Sequence, residues 1–223
     1  MNYNGSVSME KHLHGPVAWL RRYLADTWKA YVVSFLLMGL AITGNAVTGP
    51  YVTRVGNAAP GDIILDRIGP IDLSFVFVYG FIFMIVGLFL YALIRQPRSV
   101  PSLMNHVAVT LLTRASFIVM THLKNPPTAV PVQFPFVFDK IAFENDLFFS
   151  GHTAIPFMGF LFLKTKARYV FLAASIMLGG TAMLMHRHYS IDVFAAFYIT
   201  YGTYILYGKL SGFLGSLIGR RAR

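Results

Sequence analysis

Six unbroken apolar runs divide the chain, at roughly 31–47, 73–94, 103–120, 147–163, 169–185 and 191–206. Each spans about 16 to 22 residues, close to the roughly 20 a helix needs to cross about 30 Å of hydrocarbon. Several are a little short, so their ends sink below the headgroups or are covered by neighbouring protein. The runs are continuous rather than alternating, which does not suit the strands of a membrane barrel. The pattern predicts an all-α, polytopic membrane protein with six transmembrane helices.

Composition agrees with that pattern. Of 223 residues, 56% are apolar and only 13% charged, where a soluble domain carries about a quarter. No cysteine is present, so neither disulfides nor thiolate metal ligands are available. The first 30 residues are polar and basic and lack the short apolar core of a signal peptide.

The net charge of +10 would suit a nucleic-acid partner if it were gathered on one surface, but it follows the loops instead. With the N-terminus in the cytoplasm, 13 Lys and Arg fall in cytoplasmic segments and five (Arg54, Arg67, Lys124, Lys140 and Arg187) in outer ones. That bias predicts both termini cytoplasmic and no nucleic-acid partner. Residues 1–30 read as a basic segment with an interfacial helix, 31–207 as the six-helix domain, and 208–223 as a basic Gly-rich cytoplasmic tail. Gly208, Gly212, Gly215 and Gly219 share one helical face, a spacing for close helix packing within one chain or in a homodimer.

Candidate chemistry gathers on the outer side. The loop after the third run holds about 25 residues with four prolines, a length more often functional than structural. His122, His152, His186 and His188 all fall on this face. In FSGHT, Ser150 can cap the fourth helix, Gly151 allows close backbone approach, and His152 lies in the first turn beside N–H groups that suit an anion. An ordinary capped helix start explains the same residues. In MHRHYSID, His188 and Asp192 stand at i, i+4, so a carboxylate can fix the imidazole tautomer and leave the other nitrogen as nucleophile or base. The same histidines could ligate a metal, but His186 and His188 point apart if the fifth helix persists, and Arg187 adds positive charge. Arg114 lies inside the third run, either as a functional cation or in a structural ion pair.

SGHT followed after 36 residues by HYSID resembles the type 2 phosphatidic acid phosphatase (PAP2) superfamily, and HRHYSIDVFAAFYIT looks like its sphingomyelin synthase branch. APGDIILDRIGP and RASFIVMTHLKNPP resemble further motifs of that branch, so the likeness runs from about 57 to 202. Phe149 stands where the phosphatases carry Pro, and Thr181-Ala182 where they carry Ser-Arg, a departure that suits the synthase branch. The resemblance implies a phosphotransferase moving a phosphate-containing head group from a phospholipid donor to a lipid alcohol, or to water in a hydrolase. His188 would be the nucleophile, Asp192 its orienting group and His152 the acid and base. Arg114, Ser150, Gly151, Arg187, His186 and Lys124 would contact the substrate, with no metal or other cofactor. A six-helix transporter using the His/Asp set as a proton relay is the non-enzymatic alternative. Small size and compact loops point to a bacterial inner membrane, with the site facing the periplasm.

Overall fold

The computed structural model describes residues 16–135 and 143–221, with side chains placed at 23, 25–135 and 143–213. Six α-helices form: α1 (Pro16–Val55), α2 (Phe81–Arg95), α3 (Val100–Thr121), α4 (Gly151–Phe162), α5 (Arg168–Leu184) and α6 (Ser190–Arg221). Among the described residues there is no strand; a single bridge joins Ala58 to Leu123. The apolar stretches Ala25–Val55, Val76–Arg95 and Pro97–Thr121 are long enough to cross a membrane, and Arg168–Leu184 is a shorter apolar helix.

The helix boundaries follow local chemistry. Gln96 precedes Pro97 and leaves the helical region (φ −144°, ψ 53°), which ends α2, because proline disfavours the α conformation in the residue before it. Pro101 sits in the first turn of α3, where its missing N–H has no helical partner to lose. A turn of π-helix, Val76–Gly80, leads into α2.

Two elements differ from the hydrophobic pattern. The run at 147–163 is helical only over the 12 residues of α4, about 18 Å, too short to cross hydrocarbon alone. The stretch before it descends as irregular backbone, shielded because Leu147, Phe149 and Ser150 are fully buried in protein. At the other extreme, α1 runs unbroken from Pro16, so the helical part of the N-terminal segment and the first apolar run are one helix; residues 1–15 lie outside the described residues. Likewise α6 continues from the sixth apolar run to Arg221.

In lipid the drive for helices to associate is packing rather than water exclusion, so small residues matter at crossings. A Cβ on Gly179 would sit 2.7 Å from Thr153 Oγ1 and 2.9 Å from Val193 Cγ1, so glycine lets α5 approach both α4 and α6. Leu88, Leu103, Met158, Leu163 and Phe171 fill the core between α2, α3, α4 and α5. Outward-facing positions are apolar too, including Leu36 (70% exposed), Phe83 (67%) and Leu206 (68%). An apolar surface of that extent belongs in a bilayer.

Candidate active site

The α5–α6 turn shows why HRH splits. Met185 caps α5, His186 follows in the left-handed region (φ 55°), and the chain closes a Schellman motif. The His186 N–H donates to the Met183 carbonyl and the Arg187 N–H to the Ala182 carbonyl, both at 2.9 Å. The last carbonyls of α5 are taken by neighbouring loops: Leu184 by the Ile71 N–H at 2.8 Å, Met185 by the Val130 N–H at 3.0 Å. His186 thereby turns its Nδ1 to Thr128 Oγ1 at 2.5 Å, and His188 faces an internal cavity instead. Among the described residues, no group of three or more His, Cys, Asp or Glu is placed to hold a metal ion.

Asp192 occupies the third position of α6 and reaches back. Its Oδ2 accepts the Tyr189 N–H at 3.0 Å, as the acid of a capping box does, and lies 3.3 Å from His188 Nδ1. Its Oδ1 is buried with no partner among the described residues. One carboxylate oxygen therefore both caps α6 and orients His188.

The second histidine is held beside the first by a backbone bond. The Ser150 N–H donates to the Asp192 carbonyl at 3.1 Å, which joins the start of α4 to the first turn of α6. His152, in the first turn of α4, stacks on Phe77 with ring centroids 3.7 Å apart and contacts Phe81 at 4.1 Å. The π turn sets the Phe77 carbonyl against the His152 ring, and His152 Nε2 is buried without a partner among the described residues.

Ser150 corrects the sequence reading. It holds the cap position (φ −61°, ψ 116°), but its hydroxyl makes no capping bond and is buried without a partner among the described residues. The bond from its own N–H to Asp192 fixes this residue, leaving Oγ free beside the first turn of α4.

Arg114 is committed to protein. Its Nε donates to the Phe149 carbonyl at 2.7 Å, Nη2 to the Asp146 carbonyl at 2.8 Å, and Nη1 to both Asp146 carboxylate oxygens at 2.8 and 3.0 Å. These bonds hold the descending segment that delivers Gly151 and His152. The ion-pair reading of Arg114 is the one the structure forms, although the guanidinium also lines the cavity. Arg187 lines it too, and its one ionic contact, Glu144, is 3.7 Å away and 61% exposed. Arg187 is thus the freer cation at this wall. Lys124 is exposed, His186 and Ser150 are buried, and none of the three lines the cavity; Lys140 lies outside the described residues.

The cavity, about 300 Å³, has a polar end at Arg114, Asp146, Gly151, His152, Arg187 and His188. Apart from Asn45 and Asn125 its remaining wall is apolar, including Met38, Ile42, Phe81, Phe89 and Leu111 from α1, α2 and α3. Such a space fits a molecule with one charged end and an apolar body.

Three acids and amides matter that composition did not single out. Asp146 partners Arg114, and its only signal is an acid four residues before Ser150 in an apolar setting. Asn125 lines the cavity and exchanges backbone-to-side-chain bonds with Asn145. Asp62 accepts the Ile64 and Leu65 N–H groups through Oδ1 and the Ser190 N–H through Oδ2 at 2.6 Å, so the first loop caps α6. Burial opposes ionisation of Asp62, but those backbone N–H groups outweigh it and hold the carboxyl below its ordinary value. Burial, with Asp192 and Asp62 nearby, pushes the Tyr189 phenol up to about 12, so it stays a donor, to the Lys124 carbonyl at 2.9 Å.

A buried Asp–His pair and a second histidine at a helix start thus meet at the polar end of a largely apolar cavity. Residues 145–209 match the PAP2 superfamily C-terminal family model, a stretch that begins one residue before Asp146 and includes both histidine turns. The matched stretch is thus similar to the C-terminal part of PAP2 superfamily proteins. Among curated proteins none matches the chain.

Proposed function

We propose that the protein is a membrane lipid phosphotransferase that moves a phosphate-containing head group between lipids through a phosphohistidine intermediate, similar to the sphingomyelin synthases. The observation that carries this reading is the meeting of His188, backed by Asp192, with His152 at the polar end of one largely apolar cavity.

In the first step His188 Nε2 attacks the phosphorus of a phospholipid. The P–N bond forms, the P–O bond to the glycerol oxygen breaks, and His152 Nε2–H protonates that oxygen, releasing diacylglycerol. Asp192 Oδ2 holds the His188 Nδ1–H and balances the charge the ring acquires. In the second step His152 takes the proton of a lipid alcohol, whose oxygen attacks phosphorus as the P–N bond breaks. Arg187 and the N–H groups of the first turn of α4 stabilise charge on the phosphoryl oxygens. Gly151, which lines the cavity, lets the head group approach the backbone.

Transfer to an alcohol is supported by the HRHYSID pattern and by the apolar wall around the reacting end. With water as acceptor, the same first step makes a lipid phosphatase or phospholipase C-like hydrolase. The basic loops support a site opening on the periplasmic side of a bacterial inner membrane.

The test is mass spectrometry of lipid products from the purified protein in mixed-lipid vesicles. Transfer gives a new phospholipid and diacylglycerol in equal amounts, whereas hydrolysis gives a free phosphate ester. His188→Ala and His152→Ala are expected to stop turnover without unfolding the protein, and activity retained in either overturns the mechanism.

A further inference from the structure

A second concavity lies at the end of the bundle opposite His188. It is a recess of about 570 Å³ where the α2–α3 turn, the α4–α5 turn and α6 meet. Each of those elements contributes a cation: Arg98, Lys164 and Lys209. Ser99, Ser102 and Ser211 add hydroxyl groups, and no Asp or Glu lines the recess. At its floor His106 is buried, with Nδ1 2.7 Å from the Ser102 carbonyl and its ring packed on Phe162, Tyr204 and Tyr207.

Three like charges drawn to one concavity repel one another, and among the described residues none of the three makes an ion pair. An anion seated between them removes that repulsion and gains three charge-assisted contacts. Serine hydroxyls beside the cations suit phosphate oxygens. The wall of the recess also continues onto bare apolar helix. Ile205 lines it, Leu206 and Leu210 next to it are more than half exposed, and Gly208 leaves open space between them. A soluble anion would have no use for that apolar strip, whereas an acyl chain would.

We propose that this recess binds the phosphate of an anionic phospholipid, with an acyl chain lying along α6. It is a lipid site separate from the histidine cavity, and its occupant is held rather than converted.

The test uses thermal unfolding of the full chain in neutral detergent with added phosphatidylglycerol, phosphatidylcholine or inorganic phosphate. The triple variant Arg98→Gln/Lys164→Gln/Lys209→Gln is set against Lys29→Gln/Arg95→Gln/Lys166→Gln, whose exposed cations lie outside the recess. Because both carry the same charge loss, their difference isolates the recess from any lipid bound elsewhere. Phosphatidylglycerol is expected to raise Tm in wild type and in the control triple. The recess triple should need about tenfold more lipid for the same rise, if any rise occurs. Equal responses of the two triples overturn the proposal, as does phosphatidylcholine matching phosphatidylglycerol. Inorganic phosphate reproducing the rise alone also overturns it, by making the occupant a soluble phosphate.

Discussion

Asp192→Asn separates the two duties of one oxygen. Oδ2 serves the Tyr189 N–H at 3.0 Å and His188 Nδ1 at 3.3 Å, while Oδ1 is buried without a partner among the described residues. Asparagine keeps the shape, and the Tyr189 N–H dictates its orientation. The amide oxygen must take the place of Oδ2, because an NH₂ there would face another donor. The NH₂ then occupies the Oδ1 position as an unsatisfied buried donor, which costs about 1–3 kcal/mol of stability. His188 keeps an acceptor at Nδ1, and so its tautomer, but loses the charged partner. Hydrogen bonds to charged groups contribute about 1.5–3 kcal/mol against about 0.5–1.5 for neutral ones. A difference of about 1–1.5 kcal/mol, at about 1.4 kcal/mol per decade, predicts a roughly 5- to 15-fold lower rate. Product formation in vesicles, with thermal unfolding in parallel, measures both effects. A folded variant at the wild-type rate would show that Asp192 only caps α6. A loss near 10⁴-fold, the size seen when an Asp-to-Asn change inverts a catalytic tautomer, would refute the amide orientation.

Other perturbations address the scaffold. Arg114→Met strands Asp146 in a site that leaves its side chain only 13% exposed, so stability should fall by about 3–5 kcal/mol. Adding Asp146→Leu should recover part of that loss, and a double variant as unstable as the single refutes the ion-pair account. His186→Gly exchanges a strained left-handed residue for one at ease there, a gain of about 1 kcal/mol against the loss of a Thr128 bond of similar size. Its melting temperature and turnover should stay near wild type while His186→Val melts lower; abolished turnover in the glycine variant would place His186 at the reacting head group. Asp62 supplies a pH dependence. Its carboxyl titrates lower in the folded state, so its stabilisation is complete above the unfolded value of about 4 and is lost as pH falls through the folded one. The Tm gap between wild type and Asp62→Asn should hold from pH 7 to pH 5 and shrink toward pH 3; a gap unchanged at pH 3 would exclude this linkage.

Hydrophobic periodicity and i, i+4 spacing are local properties, and what depends on them was legible. The helical character, the positions of the long apolar helices and the facing of His188 and Asp192 are all contained in short windows of residues. The residues at 185–192 form the α5–α6 turn, but His186 and His188 diverge because α5 ends at Leu184 and His186 is left-handed, not because the helix persists through them. Hidden were the contacts between distant segments. Nothing in FSGHT reveals that the Ser150 N–H is taken by Asp192, 42 positions on, so the serine was read as a cap when its hydroxyl is free. Arg114 showed as a buried cation of two meanings, and only the descent of 146–149 beside α3 chooses the ion pair. Nothing local in APGDIILDRIGP shows that Asp62 accepts the Ser190 N–H at the start of α6. By itself, then, the sequence determined the helices and the pair of residues one turn apart. Tertiary structure decided which buried polar groups satisfy one another, because each such bond is set by packing across the bundle, and that His152 and Arg187 line the cavity whereas Ser150 does not.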